Sequence, residues 1–125
     1  MKEMILKKYA DCLEKDAVFE IDDINATKLF KEMYQKGVFK IDTESLKEFR
    51  GKAIQELSKP VKTSLNKFDI KAINEMIKKF RLIEKGELSD QELELKIKEK
   101  SAAIYFRCWI NKQLDEKNDV KKYFE

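Results

Sequence analysis

The sequence contains no histidine, one proline, three glycines, two cysteines and one tryptophan. Each shortage excludes something. Without histidine there is no Ser-His or Cys-His nucleophile pair and no imidazole ligand for a metal. So little proline and glycine does not suit a collagen-like, linker-like or turn-rich all-β chain. Cys12 and Cys108 form no CxxC pair and no metal-ligand spacing, and both sit among apolar neighbours in helical patterns. They are expected as buried, reduced thiols that act as small hydrophobes.

Long apolar runs are also missing. No stretch approaches the roughly 20 apolar residues of a membrane span, and none follows the opening Met1-Lys2-Glu3. The expectation is a cytoplasmic protein with no membrane contact. There is no glycine-rich phosphate loop, no nucleophile elbow and no metal-binding dyad. The run Asp23-x-Asn25-x-Thr27 begins with calcium-loop spacing, but Lys28 and Tyr34 stand where such a loop needs glycine and a bidentate glutamate. The reading is therefore no enzyme, no cofactor and no metal.

What the sequence does hold is an almost even supply of apolar residues (42%) and charged residues (41%), with a net charge of only +3 over 125 residues. Disorder requires few apolar residues and a large net charge, so the composition is that of a folded chain. The length suits one domain spanning residues 1–125.

Helical periodicity runs through that length. Ile5, Leu6, Tyr9, Cys12 and Leu13 fall on one side of a first helix. Ala26, Leu29, Phe30, Met33 and Tyr34 mark a second, capped at its start by Asp22 or Asp23 and stopped by Gly37. Leu46, Phe49, Ala53 and Leu57 mark a third, which contains Gly51 and ends before Pro60. The fourth is the cleanest amphipathic element, with Ile70, Ile73, Met76, Ile77, Phe80 and Ile83 on one face and Gly86 past its end. A last helix is expected from the Ser89-Asp90-Gln91-Glu92 capping box to about Lys117, roughly 40 Å long. From Ala102 to Ile110 that helix is apolar on nearly every side, which belongs in an interior. The fold class is all-α: a compact bundle of about five helices with a long, partly buried C-terminal helix.

One motif occurs twice. Val18-Phe19-Glu20-Ile21-Asp22 returns as Val38-Phe39-Lys40-Ile41-Asp42, each time ahead of a helix. The alternation fits two short paired strands, or two apolar lead-in segments that pack back on the helices they start. The second reading is favoured, because an isolated two-stranded ribbon is marginal.

Charge is unevenly spread. Residues 47–81 carry ten basic side chains against four acidic ones, residues 82–95 are acidic, and residues 96–112 turn basic again. On the fourth helix Lys71, Asn74, Lys78 and Arg81 share the face opposite the isoleucines, with Lys79 beside them. Arg107 is the only charge within the apolar stretch of the last helix, so it requires a carboxylate or carbonyl partner or a route to the surface. The favoured function is a non-catalytic protein-binding module, an adaptor, inhibitor or accessory subunit that binds another protein or itself. Its candidate anchors are Leu82, Arg107, Trp109, Tyr123 and Phe124. The alternative is a nucleic-acid-associated protein that contacts phosphates through Lys71, Lys78, Lys79 and Arg81. Three arginines are few for bidentate base or phosphate recognition, and no nucleic-acid-binding signature accompanies the charge.

Overall fold

A computed structural model describes residues 2–39, 41–58, 67–87 and 99–124. Among these residues the protein is all-helical and contains no strand. Its elements are α1 (Lys2–Lys15), α2 (Asp23–Gln35), α3 (Thr43–Ser58), α4 (Lys67–Glu84) and α5 (Glu99–Asp115), followed by a single 3-10 turn at Lys121–Tyr123. The Ser89 capping box, the first part of the expected last helix and the loop at Pro60 lie outside the described residues.

α5 is the hub. Every residue from Ala102 to Ile110 is buried or half-buried, and α2, α4 and α1 all pack on this helix. α3 packs mainly on α4, and the two run antiparallel: the Thr43 N–H at the start of α3 donates to Glu84 Oε1 at the end of α4 (2.8 Å). Halfway along, Arg50 Nη1 donates to Asn74 Oδ1 (3.1 Å). The buried faces follow the periodicity closely. Ile73, Met76, Ile77 and Phe80 are buried on α4, and Ala26, Leu29, Phe30 and Met33 on α2. On α1 the inward face stops at Cys12, and Leu13 remains exposed.

Local chemistry explains the helix boundaries. Asp22 is extended, and its carboxylate accepts from the N–H (3.0 Å) and Nδ2 (2.8 Å) of Asn25, capping α2. Asp42 caps α3 in the same way, through the Ser45 N–H (2.7 Å), while the Ser45 hydroxyl accepts from the Asp42 N–H (3.0 Å). At the other ends, the left-handed residues Gly37 (φ 76) and Gly86 (φ 75) let the following N–H turn back onto the helix, from Val38 to Met33 O and from Glu87 to Leu82 O. α1 and α5 end in the same hydrogen-bonded turn, but with Asp16 (φ 51) and Lys117 (φ 55) at the left-handed position. Gly51 has open space for 4 Å around the place a Cβ would occupy, so no helix crosses closely there.

The repeated V-F-x-I-D segments are lead-ins to helices. Phe19 and Phe39 are both buried, while Val18, Ile21, Val38 and Ile41 are half-buried. Phe39 joins an aromatic cluster, with ring centroids 5.3 Å from Phe30, 5.1 Å from Tyr105 and 5.6 Å from Trp109.

Candidate interaction surface

Because one face of α4 is committed to the core, the helix presents the opposite face to solvent. Lys71, Lys78, Arg81 and Leu82 are all exposed there. Lys85 continues the row, since its N–H still bonds to the Arg81 carbonyl (3.1 Å). The row spans about 21 Å at 1.5 Å per residue. None of these four cationic side chains has a hydrogen-bond or ion-pair partner among the described residues. Leu82 is 39% exposed within the cationic row. Lys79 lies off the row: it is half-buried and takes part in an interaction of its own. Asn74 also leaves the solvent face, because it accepts from Arg50.

The anchors expected near the C-terminus fare differently. Phe124, expected as a surface anchor, is a core residue at 4% exposure, and Val120 beside it is buried too. The tail docks because these two apolar side chains fit the core cluster and the 3-10 turn redirects the chain toward it. Tyr123 and Trp109 are half-buried and pack edge to face, with centroids 5.2 Å apart. Trp109 also rests on Phe39 and Phe106, so both rings serve packing.

Arg107 finds the partners its burial demands. Its Nε (3.0 Å) and Nη2 (2.8 Å) donate to the Ile21 carbonyl, and Nη2 also pairs with the Asp23 carboxylate. It therefore points toward the lead-in to α2 and does not extend the α4 row. One turn further along α5, Asn111 holds the same segment: its Oδ1 accepts from the Phe19 N–H (2.8 Å), and its Nδ2 donates to the Phe19 carbonyl (3.2 Å). Sequence reading missed Asn111. The signal was its position four residues after Arg107 on a helix otherwise committed to the interior.

A second feature lies beside this clamped segment. An open cleft of about 380 Å³ separates the first half of α1 from the lead-in to α2. Met4, Ile5 and Ile21 supply its apolar surface, and Lys8, Glu20, Asp22 and Asn25 supply its rim. Met4 is 63% exposed, and Ile24, next to the rim, is 60% exposed. The Lys8 ammonium turns inward, onto the Glu20 carbonyl and over the Phe19 ring (4.9 Å to the centroid). Hydrogen bonds from the Asn25 backbone, then from its side chain, hold the Asp22 carboxyl below its ordinary range. The spacing of α1 places Met4 in line with Lys7, Lys8 and Asp11, off the stripe that carries Ile5, Tyr9 and Cys12.

Among the described residues, reactive groups do not gather elsewhere. Cys12 is buried and Cys108 half-buried, and neither is bridged. Desolvation pushes the Cys12 thiol up, away from nucleophilic use at neutral pH. Among the described residues no three acidic or thiol side chains are grouped as metal ligands, and no helix is long and apolar enough to cross a membrane. Comparison with protein-family models, curated proteins and solved structures gives no match.

Proposed function

We propose that this protein is a non-catalytic protein-binding module whose binding face is the outer side of α4, and that its partner presents an acidic surface. The observation that carries the reading is Leu82, an exposed apolar side chain among Lys78, Arg81 and Lys85, none of which has a partner among the described residues. Interfaces gain affinity from a desolvated apolar anchor, and gain orientation and on-rate from the charges around it. The ring of cations selects carboxylates, and Leu82 supplies the anchor.

The test is capture at low salt from native lysate, with tagged wild type beside Leu82→Glu and Arg81→Glu. The expected result is a protein that presents an acidic face, this chain itself included, retained by wild type, with retention reduced about tenfold or more by either substitution, the effect of losing a hot-spot residue. Absence of any retained partner, or retention indifferent to both substitutions, overturns the reading.

A second reading is sequence-independent phosphate contact through Lys71, Lys78 and Arg81. It is supported by the lack of carboxylate partners along the row among the described residues. Leu82 weighs against it, because a phosphate backbone offers no apolar complement. Nucleic-acid binding of this kind weakens steeply with salt. Electrophoretic titration against generic DNA and RNA at low salt decides it, and absence of retardation removes it.

A further inference from the structure

We infer that the acidic partner of the α4 row is a second copy of this chain, which receives the row in the cleft between its own α1 and the lead-in to its α2. The inference rests on reading the outer side of α4 as the binding face. It goes further by naming the occupant.

The two surfaces complement each other in charge. At the cleft rim, Glu20 is exposed and has no side-chain partner among the described residues. Asp22 is held ionised by Asn25. Lys8, the one cation lining the cleft, is turned inward onto the Glu20 carbonyl and the Phe19 ring. The rim therefore offers the Glu20 carboxylate, with the Asp22 carboxylate exposed beside it while it caps α2, and the row offers cations that have no carboxylate partner among the described residues.

They also agree in spacing. Glu20 and Asp22 lie two residues apart in the segment that leads into α2, with Phe19 buried on its inner side. In such an extended stretch they stand on one side, about 6.6 Å apart. Arg81 and Lys85 are separated by one helical turn, about 6 Å. With these pairs matched, Leu82 lies on the flank of the row next to Arg81, and Met4 and Ile21 are the apolar surface the cleft offers it. One molecule cannot make this contact internally, because the row faces solvent on α4 while the cleft opens between α1 and α2. Docking covers Leu82 of one copy and Met4 of the next, two of the large apolar side chains each chain leaves exposed. The interface is heterologous, so each copy keeps a free row at one end and a free cleft at the other, and assembly proceeds to rings or short chains.

Light scattering across a concentration series tests this. At low salt the mass of wild type is expected to rise above the 14.9 kDa of one chain as concentration increases, and to fall back at high salt. Leu82→Glu and Met4→Glu change exposed positions, and each variant alone is expected to stay monomeric. Mixed in equal amounts they are expected to form a complex of about 30 kDa and nothing larger, because one variant keeps an intact cleft and the other an intact row. Glu20→Lys with Arg81→Glu is a second complementing pair, and circular dichroism establishes that all four variants fold. A wild type that is monomeric at every concentration overturns the inference, as does failure of both pairs to recombine. If that monomer still captures an acidic partner through Leu82, the binding face stands and only the self-pairing falls. If capture is also indifferent to Leu82, both fall.

Discussion

The side-chain amide of Asn111 pairs with the backbone of Phe19 in both directions, accepting from its N–H at 2.8 Å and donating to its carbonyl at 3.2 Å. The two residues are 92 positions apart, and the contact does for an extended segment what a neighbouring strand does elsewhere. It explains how the lead-in to α2 stays extended beside a helix without belonging to a sheet. Arg107, one turn earlier, holds the same segment by donating twice to the Ile21 carbonyl.

Removing this clamp should be expensive. Asn111→Leu leaves the Phe19 N–H and carbonyl without partners in a part-buried setting, at roughly 1–3 kcal/mol for each group stranded. A loss of about 2–4 kcal/mol is expected in urea unfolding. Asn111→Asp is a sharper probe: it still accepts from the N–H but cannot donate to the carbonyl. It strands only the Phe19 carbonyl, so it should lose less than Leu does, roughly 1–3 kcal/mol, despite its near-identical shape.

The two left-handed helix ends without glycine are sites of gain. An L-residue in that conformation costs roughly 1 kcal/mol, and glycine does not incur it. Lys117→Gly is expected to raise stability by about 0.5–1 kcal/mol, and Gly37→Ala and Gly86→Ala to lower it by about 1 kcal/mol. Gly51 behaves oppositely, because it is helical and has open space around it. Gly51→Ala should stabilise by about 1 kcal/mol through helix propensity. Thermal melts of the four variants check all four signs.

The C-terminal tail is part of the core. Phe124→Ala should cost about 3–5 kcal/mol, the range for a buried phenylalanine. Lys122→Ala, on an exposed neighbour, should change stability by less than about 0.5 kcal/mol. Equal, small effects at both positions would show the tail detached.

Stability should fall at both ends of the pH scale. Contacts from Lys2 and Lys36 hold the Glu32 carboxyl below its ordinary 4.5. At Glu84 the Thr43 hydroxyl, buried and short of full hydrogen-bond geometry, and the Thr43 N–H have the same effect. Depressed carboxylates contribute stability above their ordinary value and lose it as pH falls through the folded value, so the acid limb should begin near pH 4.5 and deepen below it. Burial, foremost, pushes Tyr9 and Tyr105 above the ordinary 10.0. A raised folded value keeps its contribution below pH 10 and loses it above, so the alkaline limb should coincide with late phenol ionisation. Absorbance titration of tyrosine alongside circular dichroism reads both. All four tyrosines ionising near 10 without loss of structure would contradict the burial of Tyr9 and Tyr105.

The all-α class, the inward faces of α2 and α4 and the stops at Gly37 and Gly86 were legible in the sequence. Each depends on neighbours within a turn or two, where helical spacing and capping chemistry act. The interior placement of Ala102–Ile110 was legible for a related reason, because a stretch with no polar side has no face to give to water. The tertiary structure alone decided the rest. It gave Arg107 the Ile21 carbonyl and Asp23, drew Asn74 to Arg50 and Lys79 off the row, and buried Phe124. Periodicity assigns a side chain to a face. Which face is covered, and which polar group meets which, depends on chain segments far apart in sequence, and no local pattern encodes that meeting.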